Sequence, residues 1–219
     1  MSQPAVAVLG GTGHQGRGLA QRLTLAGFHV IVGSREPDRA AATVAAWPAP
    51  TRPTTTAAYA AAIAAADVVV LAVPFGSVST VLAEHQRQFK SETLVIDITV
   101  PVTITAGTLT LADVPEGSAA EHVRARLPAS VRVAATFKTV PAELLGESTR
   151  PLDCDEFVCG DSAEARLHAA ELVHGVAGLR PIDVGPLARA RSIEHLTLLA
   201  IAINRRHKIP DARFKVIGL

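Results

Sequence analysis

Short continuous apolar runs alternate along the chain with stretches whose apolar residues recur every three or four positions. Ala5 to Leu9 is such a run, as expected of a strand buried on both faces. Gly10 to Gly13 ends it, and Gly16 to Ala26 predicts a helix with Leu19, Leu23 and Ala26 on one side. Phe28 to Val32 reads as a second strand, Val68 to Val73 as a third stopped by Pro74, Thr93 to Ile98 as a fourth and Val131 to Thr136 as a fifth. The Ala-rich stretch after the second strand is broken by Pro48, Pro50 and Pro53, which predicts a loop between two helical pieces; the second piece covers Thr56 to Ala66. Further on, Cys154 to Cys159 predicts a short strand, Ala163 to Ala177 an amphipathic helix, Arg180 to Val184 another extended piece, and Ser192 to Arg205 a helix with a largely apolar face. Asp113 to Ser118 and Gly146 to Pro151 read as loops. Strands alternating with helices argue for an α/β fold of Rossmann type, a doubly wound and mostly parallel sheet.

Composition narrows the classes of function. A chain of 219 residues, 48% hydrophobic, buries a core of ordinary size as one domain with an appendage or as two small domains. A net charge of +1 and only six Phe, one Trp and one Tyr argue against a nucleic-acid partner and against an anionic membrane surface. Cys154 and Cys159 lack metal or redox spacing and read as free thiols. The opening Met-Ser-Gln-Pro has no basic region or cleavage site, and no apolar stretch reaches the roughly 20 residues a bilayer needs. A soluble, cytoplasmic protein is expected.

Gly11-Thr-Gly13-His-Gln-Gly16 follows a buried strand and opens a helix, which gives the G-x-G-x-x-G spacing its meaning as a dinucleotide-binding loop. Gly11 is expected to allow the tight turn, Gly13 to let the pyrophosphate approach backbone, and Gly16 to let helix and strand pack closely. The helix N-terminus offers unpaired N–H groups to the phosphates. An NAD site places Asp or Glu at the end of the second strand to hold the ribose 2′-hydroxyl. Here the chain reads Val32-Gly33-Ser34-Arg35, and a hydroxyl and a guanidinium suit the 2′-phosphate of NADP(H) instead. Glu36 follows the arginine and is misplaced for a strand-end carboxylate. The expected cofactor-binding set is Gly10, Gly11, Thr12, Gly13, His14, Gln15, Gly16, Ser34, Arg35, Arg39, Val73 and Pro74.

These residues carry a resemblance. Gly10-Gly-Thr-Gly-His-Gln-Gly16 with Gly33-Ser-Arg35 resembles the NADPH-dependent reductases of coenzyme F-420 (F420), an 8-hydroxy-5-deazaflavin. It continues in Val70-Leu-Ala-Val-Pro74, Gly117-Ser-Ala-Ala-Glu121, Val158-Cys-Gly-Asp161, Gly178-Leu-Arg-Pro-Ile-Asp183, Gly185-Pro-Leu187 and Glu194-His-Leu-Thr197. The resemblance implies a Rossmann domain over 1–180, a small helical extension over 181–219 that closes the deazaflavin cleft, and a homodimer. It implies Pro74 and Phe75 at the nicotinamide end, with Lys138 to Pro141 and the turn Gly185-Pro186-Leu187 bordering the deazaflavin. The family's usual histidine, within a stretch like His-Thr-Ile-Pro, is replaced here by Lys138-Thr-Val-Pro141, preceded by Phe137 in place of a leucine.

Hydride transfer between two flat rings needs stacking and excluded water, not a triad. No Ser-His-Asp, Cys-His or metal constellation stands out, and no catalytic side chain or metal is expected. The histidines read as surface or packing residues; His14, in the phosphate loop, either covers the pyrophosphate or is simply exposed. Lys138 either stabilises charge on the deazaflavin or points to water. Arg205-Arg-His-Lys208 reads as a solvated helix end that complements the dipole, with reception of an acidic tail as the other reading. The alternatives to F420 reduction are an NADPH-dependent reductase of an imine, ketone or flavin-like acceptor, and a non-catalytic NADP(H)-binding protein.

Overall fold

The computed structural model describes residues 4–47, 54–105 and 107–219. The first three residues and the proline-rich loop expected around Pro48, Pro50 and Pro53 lie outside them. The chain runs β1 (Ala5–Leu9), α1 (His14–Leu25), β2 (His29–Gly33), α2 (Pro37–Ala45), β3 (Thr55–Ala57), α3 (Tyr59–Ala65), β4 (Val68–Leu71), α4 (Phe75–His85) and β5 (Leu94–Asp97). A hairpin of β6 (Val102–Thr105) and β7 (Thr108–Leu111) follows, then α5 (Ala119–Arg124), β8 (Arg132–Ala135) and α6 (Ala142–Gly146). β9 (Cys154–Gly160), α7 (Ala163–Gly175), β10 (Leu179–Pro186) and α8 (Ala190–His207) complete it.

The main sheet has the order β10-β9-β8-β5-β4-β1-β2-β3. Pairing is parallel from β3 across to β8. β9 then reverses against β8, matching Ala134 with Gly160 and Ala135 with Cys159, and β10 runs parallel to β9. Period-two geometry explains the unbroken apolar runs. Val6 and Val8 of β1 face one core with Leu19 and Leu23 of α1 and Leu172 of α7, while Ala7 and Leu9 face another with Ile63 of α3, Leu82 of α4 and Ile193 of α8. Cys154 and Cys159, five apart on β9, fall in opposite cores as buried free thiols, both pushed up to about 12 by burial.

Two expectations change and one element is new. Thr56 and Ala57, predicted as helix, pair with Val32 and Gly33 as the edge strand β3, and the helix starts at Tyr59. The β6–β7 hairpin forms a separate two-stranded sheet, with Gly107 in its turn at φ +78°. A domain boundary at residue 180 would cut β10, because the sheet keeps the chain to Pro186.

Two buried polar clusters fix the helices and loops around the sheet. Arg22 of α1 is buried and donates to the carbonyls of Leu144 at 2.6 Å, Leu145 at 3.1 Å and Glu147 at 2.7 Å. Its guanidinium thus adds a donor to the turn that ends α6, where Leu144 O also accepts the Glu147 N–H and Glu147 O the Arg150 N–H, and supplies the donor for Leu145 O. At the carboxyl edge of the sheet, the buried Nζ of Lys138 lies 2.7 Å from Asp97 Oδ2 and 3.5 Å from Glu194 Oε1, and it also donates to the carbonyl of Thr99. Glu194 of α8 also accepts the Ala119 N–H at 2.9 Å, capping α5. Beside it, Glu156 of β9 accepts from the Lys138 N–H at 2.9 Å and from the Thr139 hydroxyl at 2.6 Å. Burial, the largest influence, raises Glu156 to about 7, and burial raises Glu194 as well.

Replacing Arg22 with Met takes the side-chain donor from the buried Leu145 carbonyl and is expected to cost about 1–3 kcal/mol, read as a lower urea midpoint at unchanged slope. Glu156 supplies a second test. Its folded form holds a proton that the unfolded chain loses first, so its contribution is full below the unfolded value of 4.5 and is lost as pH rises through about 7. The stability of the parent protein relative to Glu156→Gln is therefore expected to fall between pH 5 and pH 8, measured by urea unfolding at each pH.

Candidate functional site

Strand order reverses between β1 and β4, which are neighbours at the centre of the sheet. Open α/β sheets bind ligands in the crevice outside the carboxyl ends of the strands at such a point. The glycine loop closes it. Gly10, just ahead of the G-x-G-x-x-G spacing, takes the left-handed conformation at φ +81°, and a Cβ there would lie 2.6 Å from the Ala72 carbonyl oxygen. Gly11 does not need that conformation; a Cβ on it would sit 3.0 Å from Val8 O. Gly16 does what its spacing predicts, since a Cβ would come within 2.4 Å of Gly10 O and 3.0 Å of Ala72 Cβ. Gly13 is the N-cap of α1, and its N–H donates to Gly10 O at 2.9 Å. The side chain of Gln15 reaches across to Phe137 O at 2.8 Å and ties α1 to the loop after β8.

Two cavities open on this edge and share Gly13, Ala72, Val73 and Pro74. The first, about 670 Å³, is lined by Gly10, Thr12 and Gly13 at one end and by Ser34, Arg35, Glu36 and Arg39 at the other, with Tyr59 and His85 on its wall. Ser34 is folded onto its own turn, accepting from the Glu36 N–H at 3.1 Å. Arg35 and Arg39 are exposed, and Glu36 lies 3.8 Å from Arg39. Glu36 therefore borders the cavity as a partner of Arg39, and two guanidinium groups remain at the rim, a setting suited to a phosphate.

The second cavity, about 610 Å³, continues past Pro74 and Phe75. Thr99, Lys138, Thr139, Val140 and Pro141 form one side, Thr197, Ala200, Ile201 and Asn204 of α8 the other, and Pro210 and Ala212 close the end. His14 and Glu143 stand 3.6 Å apart at its rim, and both are exposed. Lys138 borders this cavity but does not point to water. Its side chain is fully buried, with the ammonium taken up by Asp97, Thr99 O and Glu194, so it presents backbone and not charge to the cavity. The loop that carries it is held in an unusual shape, with Phe137 buried at φ +53°.

Gly185, Pro186 and Leu187 fall outside both linings among the described residues. The reversal of β9 is the physical reason. β10 runs with β9, so its carboxyl end points away from the binding edge, and Leu187 is buried in the core near Cys159. Gly185 keeps a structural task there, at φ +93° beside a register shift. The block Gly117-Ser-Ala-Ala-Glu121 also proves structural: Ser118 caps α5 by accepting the Glu121 N–H at 3.1 Å and donates to Glu121 Oε2 at 2.8 Å. Arg205, Arg206 and His207 form the exposed last turn of α8. Sequence reasoning missed Thr99, Asn204 and Tyr59, whose places at strand ends or on helix faces leave no motif. Glu156 did leave a signal, since with Asp155 it makes a pair of carboxylates inside a strand whose other residues are apolar, cysteine or glycine.

The geometry agrees with comparison to known proteins. The family described as coenzyme F420-dependent NADP oxidoreductases matches residues 5–101. The F420-dependent NADP reductase of Methanothermobacter thermautotrophicus is 39% identical, covering 98% of this chain and 95% of its own. That of Methanothermobacter marburgensis is 37% identical, covering 98% of both. A crystal structure from Arthrobacter sp. FB24, provisionally assigned as an F420-dependent NADP-reductase, superposes with a TM-score of 0.80 at 28% identity over 97% of this chain and 99% of its own. With a binding crevice at the strand reversal and near-full-length identity to these enzymes, the chain belongs to the family of F420-dependent NADP reductases.

Proposed function

We propose that the two cavities are the two halves of one hydride-transfer site. The chain is an oxidoreductase that passes hydride between NADP(H) and coenzyme F420. The shared wall of Gly13, Ala72, Val73 and Pro74 carries this reading, because it lets two ligands meet at the strand reversal. NADP(H) occupies the first cavity. The start of α1 faces its pyrophosphate, Thr12 and Ser34 offer hydroxyls, and Arg35 and Arg39 hold the 2′-phosphate. The glycine positions support the fit, since side chains at Gly10 or Gly16 would collide with backbone.

The 8-hydroxy-5-deazaflavin ring takes the second cavity between Phe75, the Lys138–Pro141 loop and α8. The two bound rings supply the hydride chemistry themselves, and the protein supplies stacking and a dry, fixed enclosure. Val140 and Pro141 give that enclosure apolar surface, and the buried Lys138 holds its loop from behind. A second copy of the chain covers the outward side of α8 and the hairpin, a homodimer supported by exposed Ile104 at 67% and Leu199 at 50%. Leu196 and Ile201 instead turn toward their own domain. Among the described residues no helix is long and apolar enough to cross a membrane, and the two free thiols suit a cytoplasmic setting.

Arg35→Glu is expected to weaken NADPH binding by about 2 kcal/mol or more through lost pairing and added repulsion, read by fluorescence titration. Unchanged affinity would remove the 2′-phosphate from that rim. For the acceptor, NADPH mixed with oxidised deazaflavin coenzyme is expected to bleach the deazaflavin band, with NADH a much poorer donor. Normal NADPH binding without bleaching would move the search to imines and ketones.

A further inference from the structure

Behind the second cavity lies a hydrogen-bonded chain that the hydride-transfer reading leaves unused. Phe75 opens α4 directly after Pro74 and lines the cavity. Its ring packs on the imidazole of His122 in α5, with centroids 5.2 Å apart and planes tilted by 55°. Both nitrogens of that imidazole are held. Nε2 is 2.8 Å from the hydroxyl of Ser79, one helical turn beyond Phe75 on α4, and Nδ1 is 3.0 Å from Glu116 Oε2 in the loop before α5. The other oxygen of Glu116 takes a 2.6 Å bond from Arg126, which with the His122 bond holds the carboxyl down at about 2. An ionised acceptor therefore faces Nδ1 and keeps a proton there, while Nε2 is held by the Ser79 hydroxyl.

Glutamate, histidine and serine in this order resemble a nucleophilic relay. Ser79 lies inside α4, however, where the neighbouring amides are committed to the helix, so no oxyanion would be held. What the arrangement achieves is the immobilisation of a ring. An imidazole tethered at both ends cannot swing about its side-chain torsions, and it gives Phe75 a rigid backing.

We propose that His122 is a positioning residue for hydride transfer: pinned between Ser79 and Glu116, it fixes the Phe75 ring as the wall on which the reacting rings stack. This rests on the assignment of the second cavity to the acceptor. Small displacements at such a wall matter, because misplacement by about 1 Å can cost on the order of a hundredfold in rate.

A double-mutant cycle on the full-length protein tests it, with His122→Ala, Phe75→Ala and the pair. His122→Ala is expected to lower kcat about tenfold while the KM for NADPH stays within about twofold, and the pair to be no slower than Phe75→Ala alone. The emission of bound NADPH, recorded with no acceptor present, is expected to change alike in both single variants. Ser79→Ala removes one tether without touching the ring and is expected to fall between the parent and His122→Ala; it carries the test if His122→Ala does not fold. Rate losses that multiply in the pair, or kcat and emission unchanged in Ser79→Ala and His122→Ala, would overturn the proposal. If the parent protein turns over no deazaflavin, the acceptor assignment fails, and the bound-NADPH emission still decides whether His122 acts through Phe75.

Discussion

The ammonium of Lys138 lies out of water between Asp97 and Glu194, and four elements meet around it. Asp97 ends β5, Lys138 follows β8, Glu194 belongs to α8 and caps α5. Glu156 adds the start of β9 by gripping the backbone of the same loop. Ion pairs of this kind gain little net stability, because desolvation offsets their attraction, yet losing one partner typically costs about 3–5 kcal/mol. Their effect here is geometric. A loop with a buried Phe137 at positive φ would relax into another shape without such fixed partners, and that loop is one side of the second cavity.

This arrangement settles what Lys138 does, a residue that could have faced either a ligand or water. A ring-facing histidine would act on a ligand directly. Lys138 instead acts on the protein, drawing its own loop against β5 and α8 while its backbone forms the cavity wall. The surface left to a flat ring is then mostly apolar and hydroxyl, from Val140, Pro141, Thr99, Thr139 and Thr197. Such a surface suits stacking and the exclusion of water, which hydride transfer requires of its protein.

Much of the fold could be read along the chain, and for a physical reason. Strands buried on both faces appear as unbroken apolar runs, and the glycine loop must keep its spacing because Gly16 packs on Gly10 and Ala72. The place of Arg35 at the rim of the first cavity was equally legible, since it stands two residues past the end of β2. Three-residue β3 was not, because so short an edge strand shows no period. The hairpin did carry a signal in the alternation Val102-Thr-Ile-Thr and Thr108-Leu-Thr-Leu, which an otherwise parallel pattern made easy to pass over. Lys138, Glu156 and Glu194 are far apart in sequence, and their partnership exists only once β8 and β9 lie side by side. That Gly185-Pro186-Leu187 lies outside both linings was hidden in the same way, as strand direction is not written in local composition.

The reversal of β9 has a consequence for how this site can vary over time. A parallel sheet offers its ligands only the loops that follow strands, and loops are the segments that lengthen, shorten and drift most readily. By turning β9 and β10 around, the chain brings strand beginnings to the same rim, so that Asp155 and Glu156 are held there in sheet register and not at the end of a tether. Asp155 then anchors the chain's last residues through the Val216 N–H at 2.6 Å and Phe214 O at 2.9 Å, carrying Pro210 and Ala212 to the cavity. One wall of the pocket is thereby fixed by sheet register, where a parallel strand would have offered only the loop after it.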